Sequence, residues 1–396
     1  MRLLLPLLLL ALSTCAMPRS LGGDAADAGS DVLVLPPELA ATNGRFDWPL
    51  VAKGGQIYSK YCTLCHGAYG EGYAADNAPS LVNPTFRATA PEEFLRAGIE
   101  RGRPGTAMGG YGRSVGGPLA VEDIDALLAF LHMGAPPPVP LASSSVLGNP
   151  VQGKFFYDAL CAVCHGTVTQ RATALHLANP VLQATVSTPF LKYAVMHGRP
   201  GTKMEAWAGK IAPRQIDDIL AYVRSMSPTP PPAPAAVPPA MPPAPPPEGP
   251  IVLNPNGKAP TMTLREDRFA PLDDVKRALD EKRRIVIIDA RPPSDWLNLH
   301  ITGSISVPYY DMKGLDLVPN DGTWVVAYCA CPHHASGVVV DELRNRGYKH
   351  AVVLDEGVFA WQHKGYPVVQ AAGALPTAAP PPLVVPPSRK PIKARR

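Results

Sequence analysis

The sequence predicts a multidomain chain of two all-α domains followed by one α/β domain with a parallel sheet, joined by Pro-rich linkers. Three observations lead there. The pattern Cys-x-x-Cys-His occurs twice, at Cys62 to His66 and at Cys161 to His165, inside two segments of the same internal order. Beyond the second Pro-rich tract the chain alternates short β-branched runs with amphipathic stretches. The 48 prolines are concentrated in a few tracts, so the folded mass is smaller than 396 residues suggest and divides into two or three domains of ordinary size. A formal charge of +4 is too mild and too dispersed for a nucleic-acid binder, and that class is set aside.

The first residues, Met1-Arg2 followed by an apolar run from Leu3 to Leu12, read as an export signal too short to span a bilayer. Leu12-Ser13-Thr14-Cys15 resembles a bacterial lipobox, although Thr14 stands where Gly or Ala is usual. Lipidated Cys15 would hold the mature protein on a membrane; ordinary cleavage after Ala16 would release it to the periplasm. The seven cysteines divide by position: Cys15, two in each Cys-x-x-Cys-His, and Cys329 with Cys331. None remains for a structural disulfide framework.

The reading places the signal at 1–16, a tether at 17–46, the first helical domain at 47–135 and a linker at 136–149. The second helical domain follows at 150–227, then a Pro-rich linker at 228–260, the α/β domain at 261–370 and a disordered basic tail at 371–396. Pro228 to Pro250 should adopt polyproline II, and at about 3.1 Å per residue it could separate its two sides by roughly 70 Å.

The two helical domains are copies of one module. In each, a Gly (Gly54, Gly153) precedes a Tyr (Tyr58, Tyr157) and then the cysteine pair. Both later read Gly-Arg-Pro-Gly-Thr-x-Met, at Gly102 to Met108 and Gly198 to Met204. Each closes on an amphipathic helix, with Ile124, Leu127, Leu128 and Leu131 in the first and Ile216, Ile219, Leu220 and Val223 in the second.

Two thiols three positions apart reach the two vinyl groups of one haem and leave the adjacent imidazole under the iron. Cys62, Cys65, Cys161 and Cys164 are therefore the attachment points of two covalent haem c groups, with His66 and His165 as proximal iron ligands. A thioether on the distal side favours Fe(II) and raises the potential. Met108 and Met204, matched in position, are the candidates; His197, Met196 and His176 compete in the second module. Each module resembles the class I cytochrome c family, over about Leu50 to Met133 and Pro150 to Met226. That resemblance implies a small helical fold around a haem, and electron exchange with periplasmic or membrane-bound redox proteins.

In the third domain, strands are expected at Ile285 to Ile288, Trp324 to Tyr328 and Ala351 to Leu354, and helices at Leu272 to Glu281 and Ser336 to Arg346. Leu264 to Val369 resembles the rhodanese family of sulfurtransferases. The matching residues are Ile288-Asp289-Ala290-Arg291, Asp295-Trp296, Leu299 to Ser304, Val307-Pro308, Glu356-Gly357, Trp361 and Gly365 to Val368. The resemblance makes Cys329 a possible persulfide carrier served by a sulfane-sulfur donor, at the strand edge where open α/β sheets bind ligands. A loop of N–H groups closing onto a helix N-terminus favours the anionic form of such a sulfur. The loop, Cys329 to Ser336, lacks the Arg often found there, so His333 and His334 are its only candidate cations and thiosulfate is a doubtful substrate. Cys331 reads as a resolving thiol, a loop-shape residue, or a metal ligand with the two histidines. Three functions stay open: an electron carrier with an auxiliary third domain, an enzyme passing electrons from Cys329-bound sulfur to the haems, and a carrier whose third domain only docks a partner.

Overall fold

Gly54 and Gly153 show why the two modules share a glycine. The helix Trp48–Tyr61 crosses Val121–His132 so closely that a Cβ on Gly54 would stand 2.0 Å from the Ala126 carbonyl oxygen. In the second module Pro150–Leu160 crosses Pro213–Ser225, and a Cβ on Gly153 would stand 1.8 Å from the Asp218 carbonyl oxygen. The apolar stripes read from the sequence are buried in both closing helices except at half-buried Leu131, with Leu127 and Leu220 each 1% exposed. The computed structural model describes residues 47–73, 77–141, 148–226, 251–330 and 333–371. The expected signal, Cys15, the tether, the tract Pro228 to Pro250, Cys331 and the basic tail lie outside the described residues. Among those described, no helix is long and apolar enough to cross a membrane.

The two modules pair reciprocally. Asn83 precedes the short helix Pro84–Arg87, and its side-chain amide donates to the Pro200 carbonyl at 2.8 Å. Asn179 precedes Pro180–Thr185, and its amide donates to the Pro104 carbonyl at 3.0 Å. Each module thus holds the other's Gly-Arg-Pro-Gly-Thr loop. Phe94 of the first module joins the core of the second, meeting the Phe190 ring at 5.6 Å. The connector between modules is tied down at its start: Val139 N–H donates to the Ala88 carbonyl, and Leu141 packs on the second core. Pro137, Pro138 and Pro140 beside these contacts are exposed.

The third domain is a five-stranded parallel sheet, β1 Phe269–Ala270, β2 Ile285–Asp289, β4 Ile305–Ser306, β5 Trp324–Tyr328 and β6 Ala351–Leu354, in the order β1-β6-β5-β2-β4. A separate antiparallel pair joins β3 Leu299–Ile301 to β7 Val368–Gln370. Every residue of β2 is buried, as expected for a parallel strand covered on both faces. The two-residue period divides β5 and its continuation. Val325, Ala327 and Cys329 face one core; Val326, Tyr328 and Ala330 face the other. The helix that follows begins at His334, two residues before the expected Ser336.

Distance between the third domain and the first module, which the Pro-rich tract allowed, is not what forms. Ser294 Oγ donates to the Gly110 carbonyl, and the Tyr309 hydroxyl donates to the Tyr61 carbonyl at 2.7 Å. The second module also reaches this domain, with the Arg171 guanidinium 5.4 Å from the Phe359 ring centre.

Candidate haem sites and the Cys329 loop

In the first module the helix Trp48–Tyr61 ends at Cys62, and one short turn, Thr63–His66, carries Cys65 and His66. The Tyr58 hydroxyl donates to the Gly67 carbonyl at 2.8 Å, tying the helix to the residue after the histidine. The second module repeats this: Tyr157 donates to the Gly166 carbonyl at 2.9 Å. The His66 ring places Nδ1 3.0 Å from the Pro79 carbonyl, and His165 places Nδ1 2.8 Å from the Leu175 carbonyl. Both rings are thereby oriented with Nε2 left for a metal, the usual arrangement around a ligating imidazole. Burial lowers both imidazoles' pKa values and so favours the neutral, ligating form. Burial pushes the Cys62 thiol up to about 12 and Cys161 to about 11.

The Met loops are superposable in their bonding. Arg103 N–H donates to the Met108 carbonyl and Arg199 N–H to the Met204 carbonyl, both at 2.7 Å. Thr106 Oγ accepts from Met108 N–H, and Thr202 Oγ from Met204 N–H, both at 3.1 Å. Each Thr hydroxyl donates back to the Arg carbonyl, at 2.7 and 2.8 Å. The leading glycines turn with φ +68° and +64°, and a Cβ there would stand 2.4 Å and 2.6 Å from the Met carbonyl oxygen. Met108 packs on the same core as Cys62. Of the competitors, His176 commits Nε2 to the Thr167 carbonyl at 2.7 Å, and His197 lies exposed against Tyr193.

These residues fit a haem. Each module holds two thiols, an oriented neutral imidazole and a thioether on a rigid loop. Arg103 is buried, its Nη1 has no partner among the described residues, and burial lowers it to about 10. Such a guanidinium suits an anionic propionate.

In the third domain, strand β5 delivers Cys329 at its end, 1% exposed, with Sγ 3.3 Å from the Ser336 hydroxyl in the first turn of the next helix. His333, at φ +89°, turns its Nε2 onto the Asp355 carboxylate at 2.8 Å, and Arg265 holds the same carboxylate with two nitrogens. One of the two expected cations is thus committed to Asp355. No group of three or more His, Cys, Asp or Glu suited to a metal forms among the described residues. Several quoted motif residues build the scaffold: Asp289 takes Arg291 Nε at 2.9 Å in a buried pair, and Trp361 Nε1 donates to Pro367. Sequence reasoning missed Asn83, Asn179, Ser294 and Tyr309. The two asparagines carried a signal, since each stands before a proline at a matched place in the repeat.

Fold and sites define two cytochrome c domains followed by a rhodanese-like domain. Residues 49–131 and 148–223 match the family described as cytochrome c oxidase, cbb3-type, subunit III, and residues 271–364 match the rhodanese-like domain. The Cbb3-type cytochrome c oxidase subunit CcoP of Azospirillum sp. (strain B510) is 28% identical over 195 residues, 44% of this chain and 62% of that protein. An uncharacterized protein of Synechocystis is 28% identical over 96 residues, 24% of this chain and 53% of its own length. The chain thus spans between half and two thirds of the length of these curated relatives. Among solved structures, the rhodanese-like domain of an Anabaena protein is 21% identical with a TM-score of 0.25, covering 33% of this chain and 89% of that one. A reducing HAO-like complex of Kuenenia stuttgartiensis is 18% identical with a TM-score of 0.29, covering 44% and 96%.

Proposed function

We propose that this chain is an exported dihaem electron carrier whose rhodanese-like domain carries sulfane sulfur on Cys329. Cys62 and Cys65 would attach one haem and Cys161 and Cys164 the other, with His66, Met108, His165 and Met204 as the axial ligands. The observation that supports this most is the duplicated hydrogen-bond set around Met108 and Met204, which holds both thioethers in the same loop geometry. When bound, a haem with His and Met ligands supplies a one-electron couple of raised potential. The chain's own residues do the rest. The Pro79 and Leu175 carbonyls fix the imidazole rings, Arg103 offers charge to a propionate, and the paired Asn83 and Asn179 keep the modules together.

Cys329, at a strand end beside a helix start, is placed to attack sulfane sulfur as a thiolate. Cytochrome c domains go with a periplasmic or membrane-bound setting, where the redox partners would lie; lipidation at Cys15 would anchor the protein there. Expression with haem-attachment machinery should yield two covalent haems by mass, and polysulfide should load Cys329 in the wild type but not in Cys329→Ser. One haem, or equal loading of both proteins, would sink the corresponding half of the reading.

A further inference from the structure

The third domain packs against the first Cys-x-x-Cys-His turn and leaves the second one exposed. Leu64 lies between Cys62 and Cys65, and Ala107 immediately precedes Met108; both pack against the apolar cluster that contains Cys329. Tyr309 packs on the same cluster, and its hydroxyl donates to the Tyr61 carbonyl, next to Cys62, at 2.7 Å. The Tyr61 ring meets Tyr310 edge-on at 4.7 Å. The fit is close, since a Cβ on Gly109 would stand 2.6 Å from Asp295 Oδ2 and one on Gly116 2.5 Å from Leu297 Cδ1. In the second module the counterpart of Leu64 is Val163, which is 80% exposed, and the counterpart of Ala107 is Lys203, also exposed.

We propose that electrons released by sulfur chemistry at Cys329 cross this face into the first haem and pass from there to the second. This rests on the dihaem, sulfur-carrying reading above. Tunnelling falls off steeply with distance, so the site whose cluster touches the loop between Cys62 and Cys65 is the one that feeds that haem. The reciprocal Asn83 and Asn179 contacts then join the first module to the second. The open edge around Val163 remains for exchange with an outside redox protein.

The substrate class is a small sulfur anion. Cys329 is 1% exposed, and His333, one of its two candidate cations, is committed to Asp355, which favours a small anion of low charge. Hydrosulfide fits. The step is Cys329–S⁻ + HS⁻ → Cys329–S–S⁻ + H⁺ + 2 e⁻. One S–S bond forms and one S–H bond breaks, and the proton leaves to water. Each sulfur is oxidised by one electron, and the two haems, when bound in the ferric state, would supply the two one-electron acceptors. The two-haem chain matches the two-electron step.

The test mixes the oxidised full-length protein with one equivalent of hydrosulfide without oxygen, following haem absorbance and the intact mass of the Cys329 peptide. Both haems should be reduced while Cys329 gains one sulfur atom, and Cys329→Ser should lose both signals. Ser294→Arg, which places bulk against Gly110 in the interface, should slow haem reduction by hydrosulfide at least tenfold while ascorbate still reduces both haems and the first haem keeps its wild-type spectrum. A variant lacking the first haem should leave the second unreduced by hydrosulfide but reducible by ascorbate. Undiminished reduction in Cys329→Ser, in Ser294→Arg or in the variant without the first haem would overturn the inference and leave the reading beneath it intact. Failure of polysulfide to load wild-type Cys329 would instead remove that reading and this inference with it.

Discussion

The side-chain amide of Asn179 donates to the carbonyl of Pro104 at 3.0 Å, and the same side chain accepts from Val181 N–H at 3.1 Å. One residue both caps its own helix and holds the other module's Met loop. Asn179→Asp separates the two roles, because a carboxylate caps as well as an amide but turns an oxygen toward the Pro104 carbonyl. The residue is 1% exposed. The Asp variant should lose about 1–3 kcal/mol, read as a fall of several degrees in the thermal midpoint. Asn179→Ala should lose about 1 kcal/mol more through the missing cap. A wild-type midpoint for the Asp variant would show that the intermodule bond contributes nothing.

Haem attachment predicts a simple mass balance. Cys62→Ala or Cys65→Ala should strip stable attachment from the first module alone, and Cys161→Ala or Cys164→Ala from the second. Retention of two haems after Cys65→Ala, by intact mass, contradicts the assignment.

Removing an axial thioether leaves the iron open and lowers its potential. Met108→Ala and Met204→Ala should each let one haem bind carbon monoxide, with a drop in midpoint potential measured by spectroelectrochemistry. His197→Ala should leave both spectra unchanged, because that ring lies on the surface against Tyr193. A second-haem spectrum that responds to His197→Ala and not to Met204→Ala would reverse the ligand assignment.

Asp295 makes stability depend on pH. Burial raises its carboxyl from 3.8 to about 6, with Arg291 opposing and Asp289 adding to the rise. The folded state therefore holds the proton more tightly than the unfolded chain. Its contribution is fully present below 3.8 and is lost as pH rises through about 6. Asp295→Asn should raise the thermal midpoint relative to wild type above that range, with the gain vanishing below it. A difference independent of pH would mean that the substitution acts through packing alone.

Local pattern determined most of this protein. The two Cys-x-x-Cys-His motifs, the duplicated Gly-Arg-Pro-Gly-Thr-x-Met loops, the closing helices and the strands Trp324–Tyr328 and Ala351–Leu354 follow from spacing, periodicity and β-branched runs, all short-range properties. Even the shared glycines and tyrosines of the repeat announced a constraint, although only the helix crossing and the bonds to the Gly67 and Gly166 carbonyls explain it. What tertiary structure alone decided lies between domains. Tyr309 donates to Tyr61 across 248 residues of sequence, and Ser294 to Gly110 across 184. Their side chains are ordinary tyrosine and serine, with no periodicity that marks a docking face, and the Pro-rich tract before them is compatible with any distance up to its reach. A surface is recognised by the shape and polarity of the one it meets, and that complementarity exists only once both domains have folded.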